Sequence, residues 1–282
     1  MLSKVSFYSS VTKNPLRKGK ISMSVFTVTI QENVALVEYN NPPLNILTME
    51  NLKQLEQIML ELNDQAEVSV IVFTMKMQGK VYCAGMDLDE MLASKEEVDG
   101  IESYCRVSKQ YYSVFDRVEK PTIYVYDGIV RGGGVEMSFF ADFRIAGERI
   151  NLALPEIGIG IIPGGGGTQT LARLIGEAPA KDLIMTGRSV KAEEMKSIGL
   201  VQRVFPSESL LEDALSFASD LAKHSPQGLR SAKRSIHKGR QVDLYEGLAL
   251  ETAVFVDNFE TEDATEGITA FKEKRQPVFK NR

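Results

Sequence analysis

The sequence predicts an α/β protein in which a region of strands and helices is followed by a region made almost wholly of helices. Up to about Pro179, apolar runs of strand length alternate with stretches in which apolar residues recur at helical spacing. Three glycine-rich loops in this part each follow a predicted buried strand. Beyond Pro179 the pattern is helical except for one short apolar run. Strands that alternate with helices are typical of α/β architecture.

The composition is that of an ordinary globular protein. The chain has 282 residues, 43% of them hydrophobic, which is enough for one large or two small domains with a real core. A net charge of −5 and a pI of about 5.4 argue against general binding to nucleic acid or to an anionic membrane. No apolar run approaches the ~20 residues of a membrane span. We therefore expect neither nucleic acid nor membrane as a partner.

Cysteine and histidine are scarce, which limits the chemistry that the chain can perform. The two cysteines, Cys83 and Cys105, do not make a disulfide scaffold. The two histidines, His224 and His237, have no ligand partner at the spacing of a zinc site, so no metal is expected. Both histidines lie in polar helical stretches. We expect them to be solvated surface residues and not members of a Ser-His-Asp triad.

The first 22 residues differ from the rest of the chain. They contain several lysines, an arginine and hydroxyl side chains, but no acid and no long apolar segment. We interpret residues 1–22 as a disordered extension upstream of the folded domain, with Met23 as a possible internal start. On this interpretation we expect the protein to be cytoplasmic. The alternative is an organelle transit peptide, which has the same basic, acid-poor composition. That alternative would make the protein mitochondrial.

The folded region is predicted to begin with a β-hairpin. The runs "VFTVTI" and "VALVEY" are β-branched and alternate, and residues 31–33 separate them. The stretch "NNPPLN" then breaks the chain. Thr48 is a suitable N-cap for a helix with one apolar face. That face consists of Leu52, Leu55, Ile58, Met59 and Leu62.

The middle of the chain continues with buried strands. The continuous apolar runs "VSVIVFTM" and "TIYVYD" are expected of strands that are buried on both faces. A helical stretch between them follows "CAGMDL" and runs through Val118. The last predicted strand, in "LVQRVF", leads into helices only. We therefore place an α/β core at residues 23–205 and a helical region at residues 206–282.

The glycine-rich loops do not match the phosphate-binding motifs. The stretch "PGGGGTQT" has no lysine, so it is not a Walker loop. The stretch "GIGIIPG" has Pro163 where a dinucleotide fingerprint needs its third glycine, and it lies in the middle of the chain.

The stretch "RGGGVEMSFFA" instead suits an oxyanion site. It reads as a bare loop that runs into the first turn of a helix with an apolar body. Backbone N–H groups at a helix start can hold a developing negative oxygen, and glycine lets that oxygen come close.

Two glutamates follow glycine-flanked strand ends in apolar surroundings. Glu136 ends the glycine triplet, and Glu156 stands beside a proline in "LPEIGIG". Taken alone, Glu136 could be a helix N-terminal acid and Glu156 a loop cap. Two such acids after two core strands favour paired general acid/base chemistry.

In these residues the sequence resembles the crotonase superfamily, which is also called the enoyl-CoA hydratase/isomerase family. The resemblance covers nearly all of the chain from about Phe26 to Phe279. The motifs "NNPPLNILT", "YCAGMDL", "DGIVRGGGVEMSFFADFRIAG", "LPEIGIGIIPGGGGTQTLARLIG" and "AFKEKRQPVF" occur in the family's order and spacing. The resemblance implies a crotonase-like spiral of ββα turns with a C-terminal helical region for trimerisation. It also implies a homotrimer or a dimer of trimers, an acyl-CoA thioester as substrate, and no metal or other cofactor, because coenzyme A is part of the substrate.

The resemblance also implies a role for particular residues. The thioester oxygen would bind the backbone amides of Met86 and Gly133, and the amide of Gly164 would help to hold a water molecule. Met86 departs from the family, where hydratases often have alanine, and its side chain would reshape the acyl entrance. The residues expected to contact coenzyme A are Ala84, Leu88, Phe255, Phe271 and Lys274. Lys274 could equally be a solvated residue of the "KEKR" run.

The two glutamates indicate which reaction to expect. Family hydratases keep both acids, so we expect an enoyl-CoA hydratase in which Glu136 takes a proton from water and Glu156 delivers one to Cα. The alternatives are an enoyl-CoA isomerase that uses Glu156, or a non-catalytic acyl-CoA-binding or RNA-binding protein. A pure binding protein has no need of two buried carboxyl groups, and the acidic pI weakens a role with RNA.

Overall fold

The structure, a computed structural model, describes residues 21–23 and 25–281 of the chain. Within these residues the strands are β1 (Ile21–Met23), β2 (Phe26–Gln31), β3 (Val34–Tyr39), β4 (Val70–Met75), β5 (Val81–Cys83), β6 (Thr122–Tyr126), β7 (Ile129–Arg131), β8 (Phe143–Gly147), β9 (Asn151–Ala153), β10 (Val190–Lys191) and β11 (Arg203–Phe205).

The helices of the same residues begin after the hairpin and dominate the C-terminal part. They are α1 (Met49–Asp64), α2 (Leu88–Ala93), α3 (Gly100–Tyr112), α4 (Val114–Arg117), α5 (Gly133–Glu136), α6 (Gly167–Ile175), α7 (Glu177–Thr186), α8 (Ala192–Ser197), α9 (Leu210–Ala222), α10 (Pro226–Gly239), α11 (Leu244–Phe259) and α12 (Glu262–Glu273). Short 3₁₀ turns occur at Ser94–Glu96, Met137–Phe140 and Glu156–Ile159.

The strands form two sheets, and successive segments of the chain contribute strands to both. The larger sheet has the order β1-β2-β3-β4-β6-β8-β11, and the smaller has the order β10-β9-β7-β5. Strands β4, β6 and β8 are parallel neighbours in the larger sheet, and β5, β7 and β9 are parallel neighbours in the smaller one. Each turn of the chain thus adds one strand to each sheet before a helical segment. This arrangement is the predicted ββα spiral, so the predicted fold class is confirmed.

The predicted N-terminal elements are confirmed. Strands β2 and β3 pair antiparallel with Gln31 opposite Val34, as expected of the hairpin. The Thr48 hydroxyl accepts a hydrogen bond of 3.2 Å from the Asn51 amide and so caps α1. The predicted apolar face of α1 is buried against the sheet.

The N-terminal extension is a prediction that falls mainly outside the described residues. Residues 1–20 are not described, so neither the disordered extension nor the transit peptide is tested. Ile21–Met23 form β1, which pairs antiparallel with β2 at the edge of the larger sheet. The sheet therefore begins before the predicted hairpin. Within the described residues, no helix is both long and apolar enough to cross a membrane.

Helix α9 belongs to the core of the larger sheet. Its buried residues Leu210, Ala214 and Ala218 pack in one apolar cluster with sheet residues such as Val72 and Val125. The predicted boundary between residues 205 and 206 comes directly after the last strand. The first helix beyond that boundary nevertheless completes the covering of the sheet.

The helix expected after the glycine triplet is shorter than predicted. Helix α5 is a single turn, and the chain continues as the 3₁₀ turn Met137–Phe140. The chain then turns toward β6, because the Asp142 carboxylate accepts a hydrogen bond of 2.7 Å from the Thr122 amide and the Asp142 amide donates one of 3.1 Å to the Thr122 hydroxyl. These two contacts tie the chain to β6 two residues after the 3₁₀ turn ends.

Helix α10 is anchored to the spiral by a buried lysine. The Lys233 ammonium group donates hydrogen bonds of 2.8 and 3.1 Å to the carbonyls of Phe115 and Lys120. It also lies 2.8 Å from the Asp142 carboxylate. A buried charge with three oxygen partners in a different part of the chain fixes the place of the helix.

The prediction that both histidines are solvated is wrong for His237. His237 follows Lys233 by one helical turn, so it faces the same part of the spiral. Its Nδ1 pairs with Asp116, and its Nε2 lies 3.3 Å from a carboxylate oxygen of Asp142. His224 is exposed, as expected.

Replacing Lys233 should destabilise the protein strongly. Lys233→Ala leaves the Asp142 carboxylate without its buried cation, which should lower the free energy of unfolding by about 3 kcal/mol. Urea unfolding followed by circular dichroism measures this change. The control is Arg234→Ala, since Arg234 forms a surface ion pair with Asp257 and should change the stability by less than about 1 kcal/mol. Equal small effects from both variants would contradict the anchoring role.

Candidate active site

A cavity of about 1210 Å³ opens where the three glycine-rich loops meet one face of α3. Its wall contains most of the site residues that the sequence predicted. Those residues are Ala84, Met86, Leu88, Gly133, Glu136, Glu156 and Gly164.

A buried asparagine sets the position of the first loop. The Asn45 side-chain amide donates hydrogen bonds of 2.8 Å to the carbonyls of Lys76 and Tyr82, and its oxygen accepts one of 2.8 Å from the Asn41 amide. These bonds hold the "NNPPLN" turn against the ends of β4 and β5. Leu47 is thereby placed beside the loop that follows β5.

The backbone pairing of Leu47 turns the Met86 amide toward the cavity. Leu47 donates a hydrogen bond of 2.8 Å to the Gly85 carbonyl and accepts one of 2.9 Å from the Asp87 amide. Leu47 and Met86 thus form a parallel bridge. In such a bridge the neighbours of Met86, Gly85 and Asp87, bond to Leu47, and the N–H of Met86 itself points away from Leu47. The Met86 N–H therefore points away from Leu47, on the side of the cavity wall that Met86 lines.

Each glycine of the triplet is bare for a separate reason. A Cβ on Gly134 would lie 2.5 Å from the Cys83 sulfur. A Cβ on Gly133 would overlap the Tyr112 hydroxyl and lie 2.8 Å from Cγ of Met86. Gly132 has a φ of +50°, and a Cβ there would lie 3.0 Å from the Glu156 carboxylate. The triplet thus lets four side chains close around one turn of backbone.

The Gly133 amide lies beside the Met86 loop. Gly133 is the first residue of α5, where N–H groups have no partner within their own helix. A Cβ on Gly85 would be 3.7 Å from the Gly133 nitrogen, so the two loops are in close contact. Met86 and Gly133, from two loops in close contact, both line the cavity.

Glu136 is buried and held by the third loop. Its side chain is 3% exposed. One carboxylate oxygen, Oε1, accepts hydrogen bonds of 2.8 Å from the amides of both Gly165 and Gly167. These two donors fix the orientation of the carboxyl group and leave Oε2 free of their bonds.

Burial perturbs the titration of Glu136. Desolvation raises the pKa of Glu136 to about 7, and the nearby Glu156 carboxylate adds to the increase in pKa. The Gly165 and Gly167 amides act in the opposite direction, because they stabilise the charged form. A carboxyl group with a pKa near neutrality can exchange protons at physiological pH.

Glu156 has a different environment. It begins the 3₁₀ turn Glu156–Ile159, and burial raises the pKa of its carboxyl group. Within the described residues, its Oε2 is buried without a hydrogen-bond partner. An unpaired buried oxygen favours the protonated form of the group. Burial thus raises the pKa of both glutamates that line this cavity.

The residues expected to contact coenzyme A are divided between two places. Ala84 and Leu88 lie in the wall of the cavity, and Leu88 is half exposed at the start of α2. Phe255 on α11 and Phe271 on α12 are exposed, and neither they nor Lys274 belong to the cavity wall of their own chain. A contribution from these three residues to a neighbouring subunit's site stays a prediction.

Sequence reasoning did not single out two glycines that bind Glu136, and it assigned no role to the hydroxyl of Tyr112, which lines the cavity. Gly165 and Gly167 bind Glu136, although the sequence singled out only Gly164 from the same glycine run. Tyr112 is fully buried with its hydroxyl against Gly133. The glycine run itself was a signal for close backbone approach, but helical spacing explained Tyr112 equally well as a core residue.

Known proteins match this chain over almost its whole length. Residues 29–282 match the family model for enoyl-CoA hydratase/isomerase. A 2,3-dehydroadipyl-CoA hydratase from Escherichia coli is 37% identical over 92% of this chain and 100% of its own length. A short-chain-enoyl-CoA hydratase from Clostridium acetobutylicum is 36% identical over 88% of this chain and 95% of its own length. The crystal structure of an enoyl-CoA hydratase from Bacillus anthracis is 36% identical and superposes with a TM-score of 0.86, covering 92% of this chain and 100% of that one.

The ββα spiral and these matches define a protein of the crotonase superfamily. Within it, the chain belongs to the enoyl-CoA hydratase/isomerase family. The resemblance identified from the motifs is thus confirmed.

The burial of Glu136 should make stability depend on pH. Its carboxyl group ordinarily titrates near pH 4.5, whereas burial raises its pKa to about 7 in the folded state. Between these pH values the unfolded chain has released a proton that the folded protein retains, so stability falls as the pH rises through this window. Glu136→Gln keeps an acceptor for both glycine amides. Because glutamine does not titrate, the variant does not lose stability as the pH rises. The variant should be about 2–3 kcal/mol more stable than the wild type at pH 8, and less than about 1 kcal/mol more stable at pH 5.

Urea unfolding of both proteins at the two pH values measures the difference. Glu193→Gln, on the exposed surface of α8, is the control and should show no such dependence on pH. A Glu136→Gln variant that is less stable than the wild type at pH 8 would contradict the raised pKa of this carboxyl group.

Proposed function

We propose that this protein is an enoyl-CoA hydratase that adds water across the 2,3 double bond of a 2-enoyl-CoA thioester. The observation that carries the proposal is the shared cavity of Glu136 and Glu156, whose wall also contains Met86 and Gly133 from two loops in close contact. A hydration needs a base for water, an acid for Cα and a binding site for the enolate oxygen. The cavity wall contains a candidate for each of these parts.

The amides of Met86 and Gly133 bind the thioester oxygen. As water attacks Cβ, electrons move toward the carbonyl and the oxygen becomes an enolate. Two preorganised N–H groups stabilise this charge more strongly than the neutral carbonyl, and each donor is worth about 3 kcal/mol in comparable sites. The backbone near Ala84 and Leu88 contacts the coenzyme A part of the substrate at the mouth of the same cavity.

The two glutamates move the protons. Glu136 accepts a proton from the water as the water oxygen bonds to Cβ. Glu156 donates its proton to Cα, and the enolate returns to a thioester carbonyl. The product gains the oxygen and one hydrogen at Cβ and one hydrogen at Cα, so the atoms of one water are accounted for. A proton must then pass from Glu136 to Glu156 before the next turnover.

The hydrogen bonds of the two carboxyl groups support this division of roles. Glu136 accepts hydrogen bonds from two amides of the third loop, whereas Oε2 of Glu156 has no partner among the described residues, so amide donors outside its own residue stabilise the charged form of Glu136 only. Burial raises the pKa of both groups, so near neutral pH the pair readily holds one proton. The Gly164 amide, in the same wall, is proposed to hold the attacking water.

The reaction needs no cofactor beyond the coenzyme A of the substrate. The amides and carboxyl groups supply all the charge stabilisation and proton transfer that the hydration requires. The names of the Escherichia coli and Clostridium acetobutylicum relatives as hydratases favour hydration over isomerisation.

We also propose that the protein forms a homotrimer or a dimer of trimers. Helix α11 exposes several large apolar side chains, namely Leu244, Tyr245, Leu248, Phe255, Val256 and Phe259. Contacts between subunits would cover this surface and could bring Phe255, Phe271 and Lys274 to a neighbouring site. A cytoplasmic location is likewise a proposal that rests on the bacterial relatives.

Loss of either glutamate should abolish most of the activity. The purified protein should remove the enoyl absorbance of crotonyl-CoA, and Glu136→Gln and Glu156→Gln should each lower kcat by at least about 100-fold. Both changes preserve the shape of the side chain. Lack of hydration by the wild type, or full activity of both variants, would overturn the proposal.

A 3-enoyl-CoA substrate separates hydration from isomerisation. An isomerase that uses Glu156 alone should keep its activity in Glu136→Gln and lose it in Glu156→Gln. A hydratase should depend on both residues with crotonyl-CoA. Binding of the thioesters without turnover of either would indicate a non-catalytic acyl-CoA-binding protein.

A further inference from the structure

The hydroxyl group of Tyr112 is a buried polar group in the wall of the cavity. Tyr112 ends α3, has no exposed surface, and lines the same cavity as the two glutamates. Within the described residues, its oxygen has no hydrogen-bond partner. A buried hydroxyl that makes no hydrogen bond destabilises the folded state, so its presence calls for a partner that arrives with a ligand.

The position of this hydroxyl is defined by two of the loops. It lies against the α-carbon of Gly133, because a Cβ on that glycine would overlap it. The edge of the same ring lies against Gly165, where a Cβ would also approach Oε2 of Glu136 to 2.9 Å. The phenol therefore stands between the amide that faces the cavity and the loop that holds Glu136.

The side chain of Met86 lies near the hydroxyl. Cγ of Met86 and the Tyr112 oxygen both approach the point where a Cβ of Gly133 would be, so the two groups are neighbours. Methionine is unbranched and adapts its shape easily. An acyl group that enters beside Gly133 can move this side chain and expose the hydroxyl to the bound oxygen.

We propose that Tyr112 is a further catalytic residue, whose hydroxyl donates a hydrogen bond to the thioester oxygen beside the Gly133 amide once the substrate has displaced the Met86 side chain. The proposal rests on the proposed oxyanion role of Met86 and Gly133. It adds a third donor, from a side chain, to the two backbone donors.

The electrostatic surroundings keep the phenol in the donor form. Burial raises the pKa of Tyr112 well above its ordinary value, and the Glu136 carboxylate raises it further. The group therefore stays protonated at neutral pH, and it provides a hydrogen bond and not a proton. No bond to hydrogen is broken at Tyr112 in this role.

Tyr112→Phe tests the proposal because it removes only the hydroxyl. The matched control is Tyr111→Phe on the same helix, since Tyr111 packs partly buried against the core and its side chain is outside the cavity wall. With crotonyl-CoA, Tyr112→Phe should lower kcat by about 100-fold, as loss of one oxyanion donor does, and change KM by less than threefold. Tyr111→Phe should keep the wild-type kcat.

Two further measurements separate this role from a structural one. The thermal unfolding temperature of ligand-free Tyr112→Phe should equal or exceed that of the wild type, since the hydroxyl has no partner to lose. The second measurement uses bound butyryl-CoA, a saturated thioester that cannot be hydrated. Its carbonyl stretching frequency should be higher in Tyr112→Phe than in the wild type, because one hydrogen bond to the oxygen is missing.

The possible failures are distinguishable. If the wild type does not hydrate crotonyl-CoA, the proposed function fails, but the infrared comparison with butyryl-CoA still decides the role of Tyr112. An unchanged carbonyl frequency overturns the Tyr112 proposal, whatever the activity. A lower unfolding temperature together with an unchanged frequency would make Tyr112 a core residue only.

Discussion

The two hydrogen bonds from the Gly165 and Gly167 amides to one oxygen of Glu136 connect the parts of the site. They join α5, which follows the second glycine-rich loop, to the start of α6, which follows the third. A buried carboxylate without such donors would be too costly to keep charged. With them, the group is oriented and its second oxygen can serve a ligand. The glycines around it are small because the carboxyl group and the ring of Tyr112 occupy the space that side chains would need.

The site also contains polar groups that the folded protein leaves unsatisfied. Oε2 of Glu156 and the hydroxyl of Tyr112 are both buried without partners among the described residues, and both lie in the cavity wall. Such groups lower the stability of the free protein, and a bound substrate can satisfy them. The rigid spiral, with apolar clusters on both faces of the larger sheet, provides the stability that offsets this local cost.

Much of the fold and part of the site could be predicted from local patterns. The hairpin, the apolar face of α1 and the buried strands follow from periodicity, and the structure has them where the patterns place them. The sequence places Glu136 and Glu156 after two core strands, which favours paired chemistry, and in the structure both line one cavity. Contacts between distant segments were not foreseeable in the same way. Lys233 and His237 appear as a polar helical stretch, and only the folded chain shows that they face Asp142 and Asp116. The contact between Asp142 and Thr122 likewise joins residues that are 20 apart in the chain, and no local pattern encodes it.

The central claim is that the thioester oxygen binds between the amides of Met86 and Gly133, with the acyl carbons between the two glutamates. A crystal structure of the protein with butyryl-CoA tests this claim most directly. The thioester oxygen should lie about 2.7–3.1 Å from both amide nitrogens, as in other oxyanion sites. Cα should lie next to Glu156, and Cβ should lie next to Glu136. A thioester oxygen that faces solvent, or an acyl chain outside this cavity, would contradict the account.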